Sequence, residues 1–215
     1  MKTLKTRYKV IYQIVYTLLG WAVRLLYPLR VLGRENLIKG SGFVLASNHL
    51  RAIDPLYILL ARGFGKRMLI IAKDELFHIN GFINWCWKVF GAFPIDRGTG
   101  DRGMLDQAMA EVRDHGTGFL IFPEGTRSKD GNLGKMKSGA FVVAMEAGVP
   151  IVPCVIRYSA GKAKLFRRIG VAFGKPVSME ELGLTGEYSV KKIREAKRIY
   201  TETMQRLIEE TKDRL

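Results

Sequence analysis

Gly42-Phe43-Val44-Leu45-Ala46-Ser47-Asn48-His49-Leu50-Arg51-Ala52-Ile53-Asp54-Pro55 passes from an apolar run to a polar loop, and then to a proline able to open a helix. The apolar run reads as a buried strand. Pro55 suits a first helical position, with Asp54 as a helix-capping residue before it. His49 therefore stands where a strand ends and a loop begins. Outward from this stretch the same alternation repeats. Strands are predicted at 42–47, 68–72, 92–96, 118–122, 151–157 and 171–173, and helices at 55–62, 79–90, 102–113, 138–147 and 189–214. In the last helix Val190, Ile193, Ala196, Tyr200, Met204, Leu207 and Ile208 form an apolar stripe with charges opposite. Strands alternating with helices predict an α/β fold, a mixed and largely parallel sheet flanked by helices.

Chemistry in open α/β sheets collects at loops outside the strand ends. Four polar clusters fall at such ends: His49, Lys73-Asp74-Glu75, Asp96-Arg97-Gly98 and Glu124-Gly125-Thr126-Arg127. His49 and Asp54 lie five apart, the wrong interval for one face of a helix, where their side chains would point ~140° apart. A turn in front of Pro55 can instead fold the carboxylate back onto the imidazole. That would fix the tautomer and leave the second ring nitrogen free to take a proton, a general-base dyad needing no serine or cysteine nucleophile. On spacing alone, a satisfied loop histidine beside a capping aspartate is the stronger reading.

Composition narrows the partners. The 215 residues make one domain, or one domain with an appendage, large enough to bury ~70% of the unfolded surface. A net charge of +15 collects anions: nucleic acid, acidic lipid, an acidic carrier protein or phosphorylated substrates. Cys86 and Cys154 lie far apart, lack metal-ligand spacing and read as reduced, buried residues. Residues 1–34 hold seven Lys/Arg and no acid, around a weakly polar stretch from Val10 to Val23, with Tyr12, Tyr16 and Trp21 inside it and Tyr27 just beyond. Fourteen such residues are short for a bilayer span and fit an interfacial helix, with aromatic rings at the headgroup level. Residues 1–34 are thus read as an N-terminal amphipathic helical membrane anchor, monotopic on an anionic, cytoplasmic membrane face, and 35–215 as the α/β domain. The competing reading is an amphipathic helix packed on the domain. A secretory signal is disfavoured by Arg24 and the lack of a small-x-small cleavage site.

Phe122-Pro123-Glu124-Gly125-Thr126-Arg127-Ser128 is the most specific stretch in the chain. Gly125 lets backbone amides approach a ligand, Arg127 offers a planar fork for phosphate, and Glu124 can accept from hydroxyls or hold that arginine. With Asn48-His49 and Asp54, Phe93-Pro94-Ile95-Asp96-Arg97 and Val149-Pro150-Ile151-Val152-Pro153, it completes four blocks in order. Together these resemble the four blocks of the glycerolipid acyltransferases, and most closely the bacterial 1-acyl-glycerol-3-phosphate acyltransferases, over about residues 33–174. Ala52 departs from the pattern, where many relatives carry a small polar residue, though not at a reacting position. The resemblance implies direct acyl transfer from acyl-CoA or an acyl carrier protein to the hydroxyl of a lysophospholipid acceptor, without an acyl-enzyme. It further implies His49 as base and Asp54 as its orienting partner. Arg127 would clamp the acceptor phosphate, Glu124, Gly125 and Thr126 would shape that site, and Arg97, Lys73 and Lys137 are further phosphate candidates. No cofactor or metal is implied beyond the donor substrate. Phe77, Phe82, Trp85, Trp87, Phe90 and Phe93 would line an acyl tunnel or, as ordinary core, pack the domain.

Two rivals weaken on inspection. An α/β-hydrolase needs Gly-x-Ser-x-Gly, which is absent. A nucleic-acid binder needs a helix-turn-helix, zinc or RNA-recognition signature, and none occurs, so nucleic acid is not an expected partner. An acyltransferase with another acceptor, glycerol-3-phosphate or a lyso-aminolipid, would share the motifs and stays open, as does a non-enzymatic role on anionic lipid.

Overall fold

In a computed structural model that describes residues 6–63, 68–73, 78, 80–95, 102–161 and 164–215, the alternation becomes one seven-stranded sheet. The elements run α1 (Thr6–Leu26), β1 (Leu29–Leu32), β2 (Phe43–Ser47), α2 (Asp54–Arg62), β3 (Leu69–Lys73), α3 (Gly81–Phe90) and β4 (Ala92–Ile95). Then follow α4 (Arg102–His115), β5 (Gly118–Ile121), α5 (Gly139–Ala147), β6 (Ile151–Tyr158), β7 (Ile169–Phe173) and α6 (Val190–Thr211). Strand order is β1-β7-β6-β2-β5-β3-β4. Every pairing is parallel except β6 with β7, so β1 and β7 run against the other five. The fold is a mixed α/β sandwich with a mostly parallel sheet between two helical layers.

Side-chain alternation assigns the layers. Phe43 and Leu45 of β2 join Val152, Cys154 and Ile156 of β6 in a core covered by α1, α2 and α3. Val44 and Ala46 face the opposite way, with Ile151 and Val155, into the core of α4, α5 and α6. Successive strand residues point to opposite faces, so one sheet feeds both cores. Helix α6 lays Ile193, Ala196, Tyr200 and Met204 on the second core, and the Tyr200 hydroxyl donates to the Ala46 carbonyl at 2.8 Å. Val190, read as the start of that stripe, is exposed.

Strand β1 was not expected. It lies within the stretch read as an anchor, and its four residues are half-buried or exposed without the alternation that marks a longer strand. The helix before it is doubly apolar. Tyr12 and Tyr16 are buried in the first core. The Tyr16 hydroxyl donates to the carbonyls of Leu59 and Leu60, Arg24 Nη2 to that of Leu60 at 3.0 Å, and Arg34 Nε to that of Ala61 at 2.8 Å. These donors satisfy the carbonyls that the end of α2 leaves without intrahelical partners. On the other side of α1, Val10, Ile14, Leu18, Trp21 and Leu25 are exposed, Trp21 at 73%. At ~100° per residue those five fall within about 80° of one another, on a single stripe. No described helix is long and apolar enough to cross a membrane.

Candidate active site

Strand β2 lies between β5 and β6, in register Ala46 with Ile121 and Ser47 with Cys154, so the carboxyl ends of all three emerge side by side. His49 follows β2 directly. Asn48 before it is buried and grips β6: its Oδ1 accepts from the Ile156 amide at 2.8 Å and its Nδ2 donates to the Ile156 carbonyl at 3.1 Å. Asp54 opens α2, where a carboxylate complements the positive end of the helix dipole. The loop 49–53 curls around that carboxylate. Asp54 Oδ2 accepts from His49 Nδ1 at 2.9 Å and from the amides of Leu50 and Arg51 at 2.6 and 2.7 Å. Its Oδ1 accepts from the Tyr158 hydroxyl at 2.5 Å. Four donors offset the lost hydration of a fully buried carboxylate. Burial first, and then the adjacent Asp54 charge, drive the Tyr158 phenol far above its ordinary range, so it stays an O–H donor. Tyr57, in edge contact with Tyr158, is pushed up to about 12, by burial before its neighbours Tyr27 and Asp54.

With Nδ1–H donating to Asp54, the free lone pair of the imidazole is at Nε2. That nitrogen has no partner among the described residues, and the side chain is partly open to solvent. The Phe122 ring stacks on the imidazole, centroids 4.0 Å apart and planes 21° apart. Past Phe122 the glutamate turns inward: Glu124 Oε1 accepts from the His49 amide at 3.0 Å and Oε2 from the Gly134 amide at 2.8 Å. The Ser128 amide donates to the His49 carbonyl at 2.7 Å. Both polar backbone groups of His49 are thus held by the loop after β5. The amides of His49, Leu50 and Arg51 therefore all have partners.

Glu124 is buried, and among the described residues it makes no ion pair with Arg127. Arg127 and Thr126 are exposed beyond the turn at Gly125, which takes a left-handed φ of 69°. Lys137 comes back to the same turn. A Cβ at Gly125 would lie 2.8 Å from Lys137 Nζ, and the Lys137 amide donates to the Pro123 carbonyl at 2.8 Å. The structure therefore gathers His49, Asp54, Gly125 and Lys137, with Thr126 and Arg127 on the same loop. Lys73 closes β3, with its side chain outside the described residues, and Arg97 lies outside them altogether. Beside Asn48 and Leu50 opens a cleft of about 490 Å³, whose cations include Arg51, Lys129 and Arg157.

The aromatic run does not line one cavity. Phe90 belongs to the first core and Phe93 to the second, across the sheet, while Trp85 is 40% exposed. Phe77 and the side chain of Phe82 lie outside the described residues. Among the described residues, no group of His, Cys, Asp and Glu gathers that could hold a metal ion. Sequence reasoning gave no role to Tyr158, Ser128 or Gly134. Tyr158 reaches Asp54 from 104 positions away, and Ser128 and Gly134 take part through backbone amides, contacts that no local pattern announces.

Comparison with known proteins bears on what this arrangement is. The model of one family, Acyltransferase, matches residues 28–157, more than half of the chain. The chain is 37% identical over 142 residues to the chloroplastic 1-acyl-sn-glycerol-3-phosphate acyltransferase of Arabidopsis thaliana, covering 63% of this chain and 38% of that protein. It is 30% identical over 176 residues to the 1-acyl-sn-glycerol-3-phosphate acyltransferase of Streptococcus pneumoniae, covering 80% of this chain and 62% of that one. The chain thus matches less than two thirds of either relative's length. Among solved structures, it resembles the 1-acyl-sn-glycerophosphate (LPA) acyltransferase PlsC from Thermotoga maritima, with a TM-score of 0.69 and 25% identity. That likeness covers 98% of this chain and 84% of the other.

Proposed function

The chain belongs to the acyltransferase family, and we propose that it moves a fatty acyl group from an acyl thioester to the free hydroxyl of 1-acyl-glycerol-3-phosphate, giving phosphatidic acid. One observation carries this reading: the His49–Asp54 contact at 2.9 Å stands on the same loop system as the Gly125–Lys137 turn and Arg127. A base and a phosphate cradle side by side suit an acceptor that bears both a hydroxyl and a phosphate. The acceptor oxygen attacks the thioester carbonyl as His49 Nε2 takes its proton, and Asp54 stabilises the imidazolium. The tetrahedral intermediate then collapses by breaking the carbon–sulfur bond, and the thiolate takes the proton back from His49. No acyl-enzyme forms. Arg127, with Lys137 across Gly125, faces the phosphate. Arg97 and Lys73 are secondary candidates for the same anion. Glu124 serves by holding the backbone of His49.

The donor is acyl-CoA or an acyl carrier protein, both anionic, and the cleft cations Arg51, Lys129 and Arg157 suit either. No further cofactor is required by this chemistry. The exposed stripe of α1 supports a monotopic attachment to an anionic membrane, on its cytoplasmic face, where a lysolipid acceptor resides. Because α1 is also packed against α2, anchor and domain form one piece.

The test is thiol release from palmitoyl-CoA by detergent-purified protein, with and without lysophosphatidic acid, beside a His49→Ala variant. Release that needs both acceptor and His49, with phosphatidic acid as product, is the expected result. Release in the His49→Ala protein would sink the mechanism. Release with glycerol-3-phosphate or a lyso-aminolipid in place of lysophosphatidic acid would overturn the acceptor while keeping the base.

A further inference from the structure

The connection between β6 and β7 carries two exposed apolar side chains that the fold does not use. Leu165 and Phe166 are exposed, Phe166 at 70%, and Phe166 holds a left-handed φ of 59°. Among the described residues it is the only non-glycine in that region, which is unfavourable for a side chain with a Cβ. A phenylalanine in a strained backbone, with most of its surface left exposed, points to a contact outside the domain. Its setting is cationic: residues 159–168 contain four Lys/Arg and no acid. Lys164, Arg167 and Arg168 stand exposed around the apolar pair.

The tip is tied at both ends to features already described. The Phe166 amide donates to the Leu26 carbonyl at the end of α1 at 2.8 Å, and the Ile169 amide to the Pro28 carbonyl at 3.0 Å. That places the tip at the end of the exposed Val10–Leu25 stripe. Arg51, in the loop around Asp54, donates from Nη2 to the Gly161 carbonyl at 2.9 Å. One hairpin thus joins the apolar stripe and the loop that carries the base.

We propose that Leu165 and Phe166 form a second insertion point into an anionic bilayer, apart from α1. An apolar pair ringed by cations is a pattern for the headgroup boundary, where rings bury and ammonium and guanidinium groups meet acidic lipid. A single helix lying on a membrane leaves the domain free to roll about the helix axis. A second contact, fixed by hydrogen bonds beyond its end, stops that roll and presents the His49 loop to the lipid at one angle. This inference rests on the reading that α1 lies on the membrane.

Environment-sensitive fluorophores at the two points separate the claims. In a Cys86→Ser background, with Cys154 buried, the full chain is labelled with NBD at Leu18→Cys, Leu165→Cys or Phe166→Cys. Each protein is then mixed with phosphatidylcholine vesicles with or without phosphatidylglycerol. Blue-shifted, brighter emission at 165 and 166 as well as 18, dependent on phosphatidylglycerol, is expected. A shift at 18 with aqueous emission at 165 and 166 overturns the second insertion point and leaves the α1 reading standing. Aqueous emission at all three overturns both. The double variant Leu165→Ser/Phe166→Ser should lower partitioning into phosphatidylglycerol vesicles about tenfold or more, while thiol release with micellar lysophosphatidic acid is unchanged. Unaltered partitioning of that variant would also refute the proposal.

Discussion

Glu124→Gln distinguishes a carboxylate that positions the base from one that touches substrate. Both glutamate oxygens accept amides, from His49 at 3.0 Å and Gly134 at 2.8 Å, at a site almost closed to solvent. Glutamine keeps the shape but offers one oxygen and one NH₂ group, so one buried amide must face a donor. Losing a hydrogen bond to a charged partner costs about 1.5–3 kcal/mol. In a chain of this size that lowers Tm by roughly 3–12 °C. If the amide released is that of His49, the imidazole shifts, and a displacement near 1 Å costs about 10²-fold in turnover. The assay pairs a circular-dichroism melt with kcat and KM for acceptor and donor separately. The expected outcome is a lower Tm and a lower kcat, with little change in either KM. An unchanged Tm with a raised KM for the acceptor alone would refute the positioning role and return Glu124 to the substrate.

Three further outcomes follow from the geometry. Tyr158→Phe removes the donor on Asp54 Oδ1 and should cost about 1.5–3 kcal/mol in chemical denaturation, and a variant as stable as the parent would show that this contact contributes nothing. Arg127→Ala should raise KM for the phosphorylated acceptor well above any change for the donor, with Tm unmoved because the side chain is exposed; an equal rise for both substrates would count against the phosphate cradle. Burial pushes the Cys154 thiol up to about 12 from an ordinary 9.0. A raised value keeps the neutral thiol at alkaline pH, so in a Cys86→Ser protein near pH 8 the native thiol should react with a disulfide reagent about 10³-fold more slowly than the unfolded one, and prompt labelling of native protein would contradict its burial.

What could be read from the sequence follows the range of the interactions. Apolar runs and stripes are local, so strands such as 151–157 show in the text within a residue, and the long last helix within three. Strand β1 does not, because its four residues pair at the sheet margin beside an apolar helix that dominates the local composition. The reversal of β7 against β6 also leaves no mark, since parallel and antiparallel strands of this length share one alternation. At the site, the five-residue interval suggests a contact between His49 and Asp54, and the fold supplies it. Nothing near Tyr158 reveals that its hydroxyl meets Asp54, 104 positions away. Glu124 shows the same limit. Next to Gly125 and Arg127 it reads as part of a ligand loop, and only the packing of β5 beside β2 turns it towards a main-chain amide.

The donors at the end of α2 have a practical consequence. Tyr16, Arg24 and Arg34 reach its final turn from α1 and just beyond β1, and the rings of Tyr12 and Tyr16 lie inside the first core. Deleting the N-terminal helix would strip the Leu59 and Leu60 carbonyls of their donors and open that core. Polar residues at Val10, Ile14, Leu18, Trp21 and Leu25 would instead remove the exposed apolar stripe and leave the inward face, with its hydrogen bonds, untouched.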